Sequence, residues 1–236
     1  MRIDNRENND LRDIVITKNI QFQSDGSCII SLGNTQIVCA VRYENKVPPF
    51  LKGSGKGWVT AEYSMMPGST NTRTNRNNSN SGRSKEIQRL IGRSLRAVVD
   101  LNQLGENSLI IDCDVLNADG GTRTASVIGS VIALQNAVVK LQTSKSLPNN
   151  IEFNPIAAIS VGIVNNEVML DLNYSEDSQA IADFNFVMDA NGNIIEVQGT
   201  GESGIFTKTQ LITATEMAES AIKHIISIQK EYFEDS

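Results

Sequence analysis

The chain has 236 residues, 40% of them hydrophobic and 5% aromatic, with a formal net charge of −6 at pH 7. A chain of this length buries a substantial core in one large domain or two small ones. The acidic balance argues against a surface generally coated with nucleic acid, and no uninterrupted apolar run approaches the ~18 residues of a membrane span. The charged N-terminus lacks the apolar core of an export signal, so we expect a cytoplasmic protein with no membrane partner.

Few residues are available for cysteine or histidine chemistry. Cys28, Cys39 and Cys113 lie in strand-like apolar surroundings without CxxC spacing, which predicts buried, reduced thiols. His224 is the only histidine, which excludes a multi-histidine metal site and argues against a Ser-His-Asp system. Any catalysis is therefore expected to use Arg, Lys, Asp, Glu and backbone groups.

The N-terminal half has strands first and helices after. Strand-like apolar segments with tight turns at Asp25-Gly26 and Gly33-Asn34 lie at 14–22, 27–32, 36–42 and 58–64. Residues 68–82 contain no apolar side chain and predict a mobile loop that carries Arg73 and Arg76. Ser84 is the predicted cap of a helix to about Leu101. A strand Leu109–Leu116 and a long helix from about Arg123 to Leu141 complete this half.

The C-terminal half repeats that layout. Strands are predicted near 157–164, 167–173, 183–189 and 194–199, with a hairpin turn at Asn191-Gly192 and then a helix from about 207 to 230. The two halves, approximately 1–145 and 146–236, predict a single α+β domain over residues 1–236, built by duplication.

One segment is strongly basic inside an acidic chain. The segment from Arg73 to Arg96 contains a single acidic residue, Glu86. Its basic residues are Arg73, Arg76, Arg83, Lys85, Arg89, Arg93 and Arg96. Such a patch indicates one confined polyanion site, although a solvated helix face explains the same pattern.

A glycine-rich turn follows at 119–124, with the sequence DGGTRT. Paired glycines let the backbone approach an oxyanion closely, and free amides at the start of the next helix point at it. Arg123 adds a bidentate guanidinium, and Arg83 is placed to bring a second one to the same anion. The turn alone is weak evidence, since an ordinary helix start accounts for it as well.

An acidic cluster lies at 171–183. Asp171, Glu176, Asp177 and Asp183 crowd into this stretch without a neighbouring cation in the sequence. Clustered carboxylates bind a hard cation such as Mg²⁺ or share protons for general acid catalysis, whereas a strand followed by a surface turn needs neither. Carboxylate-bound metal beside an arginine-held phosphate is typical of phosphoryl-transfer sites.

Longer stretches resemble a known family. They are GWVTAEYSMMPGST (57–70), GRSKEIQRLIGRSLRAVVDL (82–101), DCDVLNADGGTRTAS (112–126), AAISVGIV (157–164), LDLNYSEDSQAIADFNFVM (170–188) and EVQGT (196–200). In this order they resemble the bacterial ribonuclease PH family over nearly the full length. Those enzymes are phosphate-dependent exoribonucleases that trim the 3′ ends of transfer RNA precursors.

The resemblance implies roles for individual residues. Phosphate binding is implied for Arg83, Gly121, Thr122 and Arg123, and RNA guidance for the loop residues Arg73 and Arg76. Catalysis is implied for Asp177, Asp183 and Arg89, and metal binding for the two aspartates.

The resemblance also implies the assembly and the reaction. The family fold is a duplicated α+β domain, assembled as a homo-hexameric ring of dimers. Inorganic phosphate would attack the last phosphodiester of an RNA 3′ end in the presence of Mg²⁺ or Mn²⁺, releasing a nucleoside 5′-diphosphate. The reverse reaction would add nucleotides from diphosphates, as a tRNA nucleotidyltransferase does.

The chain departs from the family pattern at three places. The usual Arg-Pro-Asp-Gly-Arg opening is Arg2-Ile3-Asp4-Asn5-Arg6, and the arginine loop is shorter and rich in Asn. Gly-Thr-Ala-Glu is replaced by Gly199-Thr200-Gly201-Glu202. The loop change bears on RNA guidance rather than on phosphate chemistry. Two other interpretations remain open, a non-catalytic ring subunit that binds RNA and a hydrolytic metal-dependent nuclease.

Overall fold

The computed structural model describes residues 2–234. The strands are β1 (Ile14–Lys18), β2 (Gly26–Leu32), β3 (Thr35–Glu44), β4 (Trp58–Met65), β5 (Ser108–Asn117), β6 (Ile156–Val164), β7 (Glu167–Leu170), β8 (Ala182–Asp189) and β9 (Ile194–Gly201). The α-helices are α1 (Gly82–Leu95), α2 (Leu101–Leu104), α3 (Thr122–Thr143), α4 (Tyr174–Asp177) and α5 (Lys208–Glu234). Short 3₁₀ helices lie at Pro49–Leu51 and Arg76–Asn80.

The strands form two sheets, one from each half of the chain. The first has the order β1-β2-β3-β5-β4, in which only the β4–β5 pair is parallel, and the second has the order β7-β6-β8-β9, which is antiparallel throughout. Helix α3 packs on β2 and β3 of the first sheet and on β6 of the second, and α5 packs on β6 and β8. The predicted α+β class is confirmed.

Helix α3 lies at the centre of the fold. Its mean hydropathy of 1.4 and its length of 22 residues would suit a membrane span, but 83% of its apolar window is buried inside the protein. The helix approaches the first sheet so closely that a Cβ at Gly129 would lie 2.8 Å from Cys39 Sγ. Contact with both sheets explains why nearly every side of this helix is apolar.

The cysteines contribute to this core. Cys28, Cys39 and Cys113 are buried and free, as the sequence predicted. They occupy neighbouring strands, with Cys39 opposite both Cys28 and Cys113 in the strand register. In this position they pack as small apolar side chains against α3.

Several element boundaries differ from the prediction. Strand β7 ends at Leu170 because Asp171 adopts a left-handed backbone conformation with φ of 51°. Ser81, not Ser84, caps α1, since its hydroxyl accepts a hydrogen bond from the Ser84 amide. The helix ends at Leu95 rather than Leu101, and the following chain carries Val99 into a bridge with Phe153.

Two further segments are shorter or more ordered than the patterns suggested. Strand β1 stops at Lys18 instead of continuing to residue 22. The loop predicted at 68–82 contains the 3₁₀ helix Arg76–Asn80, which is held to β4 by the Asn78 side chain. The Asn78 amide donates to the Met65 carbonyl at 3.2 Å, and its oxygen accepts from Ser64 Oγ at 3.2 Å.

Candidate active site

A cavity of about 700 Å³ lies where the two halves meet. The first half contributes Arg83 from α1 and the turn that opens α3, and the second contributes residues of β6, α4 and β8. A second groove of about 850 Å³ lies between the N-terminal segment and α5 and contains His224. Of the sequence-predicted site residues none lines that groove, so the candidate site is the cavity between the halves.

The Gly120-Gly121 turn needs glycine at its first position. Both residues have positive φ, 76° and 66°, and a Cβ at Gly120 would lie 2.3 Å from the Leu172 carbonyl oxygen. Gly121 is the N-cap of α3 and supplies no capping side chain. The first amides of a 22-residue helix therefore face the cavity, where they and the helix dipole favour an anion.

The hydroxyl of Thr122 is oriented as a hydrogen-bond donor by the hydrogen bond that it accepts. The buried Tyr63 hydroxyl donates to Thr122 Oγ1 at 2.9 Å. Burial raises the pKa of the Tyr63 phenol, so the phenol keeps its proton at neutral pH. Because the threonine oxygen accepts from Tyr63, the threonine proton is left to be donated to a ligand in the cavity.

Two arginines reach the cavity from different elements. Arg123 is partly buried, donates to Gln198 Oε1 at 3.1 Å and lies 3.6 Å from Glu86 Oε1. Arg83 is exposed, and within residues 2–234 its guanidinium has no hydrogen bond or ion pair. The unpaired Arg83 guanidinium and the remaining N–H donors of Arg123 suit a ligand that carries more than one negative charge.

Asp177 and Asp183 form the acidic side of the same cavity. Loss of surrounding water raises the pKa of Asp183, Arg123 opposes the rise, and the neighbouring Asp177 adds to it. Loss of water likewise raises the pKa of Asp177, against the influence of Arg83 and Arg123. Both carboxyls therefore become easier to protonate than in water, and a bound cation would favour their ionised forms.

The acidic cluster predicted from the sequence divides into two groups, which corrects the expectation that it lacks a balancing cation. Asp171 is fully buried and paired with Arg12 at 2.7 Å, and Glu176 is buried and paired with Arg2 at 2.7 Å. Of this cluster only Asp177 and Asp183 line the cavity, which Glu202 also lines from just beyond β9. The balancing arginines lie more than 150 residues away in sequence, so local spacing does not reveal them.

Arg12 joins the two sides of the site. Its guanidinium donates to the Asp119 carbonyl at 2.5 Å and to the Gly120 carbonyl at 3.4 Å, in addition to the Asp171 carboxylate. The Asp119 side chain also accepts a hydrogen bond from the Tyr174 amide at 3.1 Å. The glycine turn and the segment that carries Asp177 are therefore connected by direct hydrogen bonds.

The structure brings six of the predicted site residues together. The residues that line the cavity are Arg83, Gly121, Thr122, Arg123, Asp177 and Asp183. Arg73, Arg76 and Arg89 are exposed and lie outside the set that lines it. The RNA-guiding role of the two loop arginines and the catalytic role of Arg89 stay predictions.

The arginines at the C-terminal end of α1, Arg93 inside the helix and Arg96 directly after it, have structural partners instead. Arg93 forms an ion pair with Glu196 of β9. Arg96 lies with its guanidinium carbon 4.3 Å from the centre of the Trp58 ring and donates to the Val59 carbonyl at 2.9 Å. These contacts tie α1 to strands of both sheets, so the arginine spacing along the helix reflects packing as well as charge.

Sequence reasoning did not single out several residues that line the cavity, among them Asn185, Ser160 and Tyr174. Asn185 donates to both carboxylate oxygens of Asp183, at 3.3 and 3.2 Å. Ser160 faces Asn185 across the β6–β8 register. Tyr174 is exposed at the cavity wall. The alternation of side chains along a strand places Asn185 on the same face as Asp183, so Asn185 could have been found from the sequence. Ser160 could be found only from the pairing of β6 with β8.

The residues present suit a hard divalent cation that shares its coordination with a ligand. Within residues 2–234 there is no group of three or more His, Cys, Asp or Glu side chains arranged to hold a metal ion unaided. Mg²⁺ commonly takes one or two carboxylates and completes its shell with water and phosphate oxygens. Asp177 and Asp183, opposite two arginines, provide that partial set.

Comparison with known proteins places the chain in a family. Residues 10–140 match the model of the 3′ exoribonuclease family, domain 1, and residues 154–221 match domain 2 of the same family. The chain belongs to the 3′ exoribonuclease family. In this family member the cavity lies between the segments matched by the two models, with Arg83 and Arg123 in the first and Asp177 and Asp183 in the second.

Solved structures share the fold of this exoribonuclease-family chain at low sequence identity. The crystal structure of rice (Oryza sativa) Rrp46 has a TM-score of 0.81 at 19% identity, over 99% of this chain and 100% of that chain. The Archaeoglobus fulgidus exosome with RNA bound to the active site has a TM-score of 0.81 at 20% identity, over 95% and 91%. An archaeal exosome core has a TM-score of 0.79 at 20% identity, over 97% and 91%.

Proposed function

We propose that this protein is a phosphorolytic 3′-5′ exoribonuclease of the ribonuclease PH type. One observation carries the proposal. Two arginines, a glycine turn at a helix start and two carboxylates from distant parts of the chain converge on one cavity. A phosphate held by the first group would lie beside a cation held by the second. The family membership supplies RNA as the substrate class.

Each group has a role in this reaction. Arg83, Arg123 and the amides that follow Gly121 hold inorganic phosphate, whose charge they neutralise. Asp177 and Asp183 would hold Mg²⁺ or Mn²⁺, which would supply Lewis-acid stabilisation of charge on phosphoryl oxygens. Little covalent chemistry is required of the protein, because positioning and charge neutralisation account for most of such catalysis.

The chemistry of the step is an exchange of phosphate linkages. An oxygen of inorganic phosphate attacks the last phosphodiester of the RNA, and the 3′ oxygen of the preceding nucleotide leaves and takes up a proton. The products are a nucleoside 5′-diphosphate and an RNA shorter by one nucleotide. Since one phosphate ester is broken and one phosphoanhydride is formed, the same site runs in reverse and adds nucleotides from diphosphates.

The proposed cellular substrates are the 3′ ends of transfer RNA precursors, with other RNAs as further substrates. The resemblance described for residues 57–70, 82–101 and 112–126 supports this choice. We also propose a cytoplasmic homo-hexameric ring, a trimer of dimers. The Archaeoglobus fulgidus exosome and the archaeal exosome core, whose chains share the fold, support an assembled form.

The deciding experiment is incubation of the purified protein with a 3′-extended tRNA and Mg²⁺, with and without inorganic phosphate. Nucleoside diphosphates that appear only when phosphate is present would support phosphorolysis. Nucleoside monophosphates formed without phosphate would identify a hydrolytic nuclease. RNA binding without any product would identify a non-catalytic RNA-binding subunit.

A variant links the products to the cavity. Arg123→Ala removes a cavity guanidinium, whereas Lys223→Ala removes an exposed lysine on α5 whose partner is Glu219. Diphosphate release should fall in the first variant and stay unchanged in the second. Equal release by both variants would show that the activity resides elsewhere.

A further inference from the structure

An exposed aromatic ring lies on the wall of the cavity. Tyr174 is 55% exposed, although its neighbour Leu172 is buried. Within residues 2–234 it is the only aromatic residue that lines this cavity. An aromatic side chain left in water beside a charged site offers a flat apolar face on which the apolar part of a ligand can pack.

The backbone that carries Tyr174 is held from several directions. Its amide donates to Asp119 Oδ1 at 3.1 Å. Asn173 and Glu176 form a capping box around the first turn of α4, and Glu176 is in turn bound by the buried Arg2. The ring therefore projects from a fixed backbone, so little ordering of the protein accompanies contact with a ligand.

The ring is also next to the proposed chemistry. Tyr174 and Asp177 are the first and last residues of α4, three positions apart, and residues at this spacing lie on neighbouring parts of a helix surface. Both line the cavity, as Arg123 does. A nucleotide whose scissile phosphate lies between Asp177 and Arg123 would hold its base within reach of the ring.

We propose that the Tyr174 ring is the stacking surface for a base at the 3′ end of the RNA. This inference rests on the proposed phosphorolytic function. Every base has a π face, so stacking tolerates any terminal base, which suits an enzyme that removes successive nucleotides. Specific hydrogen bonds to base edges would be selective instead.

The first test measures RNA binding in the absence of phosphate. Fluorescence anisotropy with a short labelled RNA compares wild type, Tyr174→Ala and Tyr174→Phe, with Phe22→Ala as the control. Phe22 is 92% exposed but lies outside the cavity. Stacking on an aromatic side chain is worth ~1–3 kcal/mol per base, so Tyr174→Ala should weaken binding by about 5- to 150-fold.

The conservative variant separates stacking from a hydrogen bond. Tyr174→Phe keeps the ring and loses only the hydroxyl, so its affinity should stay close to that of wild type. A loss as large as that of Tyr174→Ala would overturn the stacking proposal, as would an unchanged affinity of Tyr174→Ala. The control variant should bind like wild type, and weaker binding by Phe22→Ala would contradict the placement of the RNA end.

A second RNA isolates the base itself. With an RNA whose 3′-terminal nucleotide lacks its base, Tyr174→Ala should cost no further affinity, since no base remains to stack. An equal loss with both RNAs would overturn the proposal.

Product analysis in the presence of phosphate accompanies these binding measurements. If binding depends on Tyr174 but no diphosphate is released, the proposed function is refuted and stacking is supported. If diphosphate is released but binding does not depend on Tyr174, the proposed function is supported and stacking is refuted.

Discussion

The guanidinium of Arg12 and the carboxylate of Asp171 face each other inside the protein, with Nη2 and Nε donating to the two carboxylate oxygens at 2.7 and 3.0 Å. The Arg12 side chain is 6% exposed and that of Asp171 is not exposed at all. Since Arg12 also donates to the Asp119 and Gly120 carbonyls, this pair holds the glycine turn against the segment that leads to Asp177.

Removal of either member of this pair should destabilise the fold. Asp171→Ala leaves the buried Arg12 guanidinium without a carboxylate, and Arg12→Ala leaves Asp171 with only its longer ion pair to Arg6, at 3.5 Å. Breaking a buried ion pair costs about 3–5 kcal/mol. We expect Arg12→Ala and Asp171→Ala each to lower the free energy of unfolding by that amount in urea denaturation. The double variant should lose less than the sum of the two, because each single variant already loses the whole Arg12–Asp171 interaction and the sum counts it twice. Additive losses would contradict a coupled pair.

Loss of the Arg123 guanidinium should affect the use of phosphate. A hydrogen bond to a charged group is worth about 1.5–3 kcal/mol, and each ~1.4 kcal/mol is tenfold in rate. Arg123→Ala is therefore expected to reduce kcat/KM for phosphate by roughly ten- to a hundredfold. Initial rates at several phosphate concentrations measure this, with Lys223→Ala as the control. Unchanged phosphate kinetics would exclude Arg123 from the phosphate site.

The Tyr63 hydroxyl should support phosphate binding indirectly, through its hydrogen bond to Thr122. In Tyr63→Phe the Thr122 oxygen loses the hydrogen bond at 2.9 Å, and its proton is free to turn toward other acceptors. A neutral hydrogen bond contributes about 0.5–1.5 kcal/mol, so we expect a loss of two- to tenfold in phosphate affinity. Equilibrium binding of phosphate, followed by calorimetry, checks this. No loss of affinity would show that Thr122 does not need Tyr63.

The ionised carboxylate of Asp183 should lower the free energy of unfolding at neutral pH. Loss of water raises the pKa of this carboxyl in the folded state above its ordinary value of 3.8. The folded state thus binds more protons than the unfolded state between these two pKa values, and the free energy of unfolding falls as pH rises through that window. Asp183→Asn has no proton to lose, so it should be more stable than wild type above the window.

Thermal unfolding at a series of pH values measures this difference. The melting temperature of Asp183→Asn should exceed that of wild type at pH 7, and the gap should shrink as the pH falls toward 4. The same variant should lose diphosphate release, because one of the two metal-binding carboxylates is gone. A gap that widens on acidification would reverse the sign and contradict a raised pKa.

Most of the elements could be predicted from local patterns. The alternation of strands, the Asn191-Gly192 turn and the long apolar helix each depend on residues near one another in sequence. Boundaries were less predictable where distant residues decide them. Strand β7 stops because Asp171 turns toward Arg12. The predicted continuation of α1 to Leu101 is replaced by an extended segment in which Val99 pairs with Phe153. Neither partner is visible from the segment itself.

The sequence by itself determined the α+β class, the glycine turn with its two arginines, and the aspartates that resemble those of the family. Only the tertiary structure decided which carboxylates face the ligand. Asp171 and Glu176 are neutralised by arginines that fold back from the N-terminus, which leaves Asp177 and Asp183 for the cavity. Ion pairing between residues so far apart in sequence is set by the fold, because only folding brings the two charges into contact.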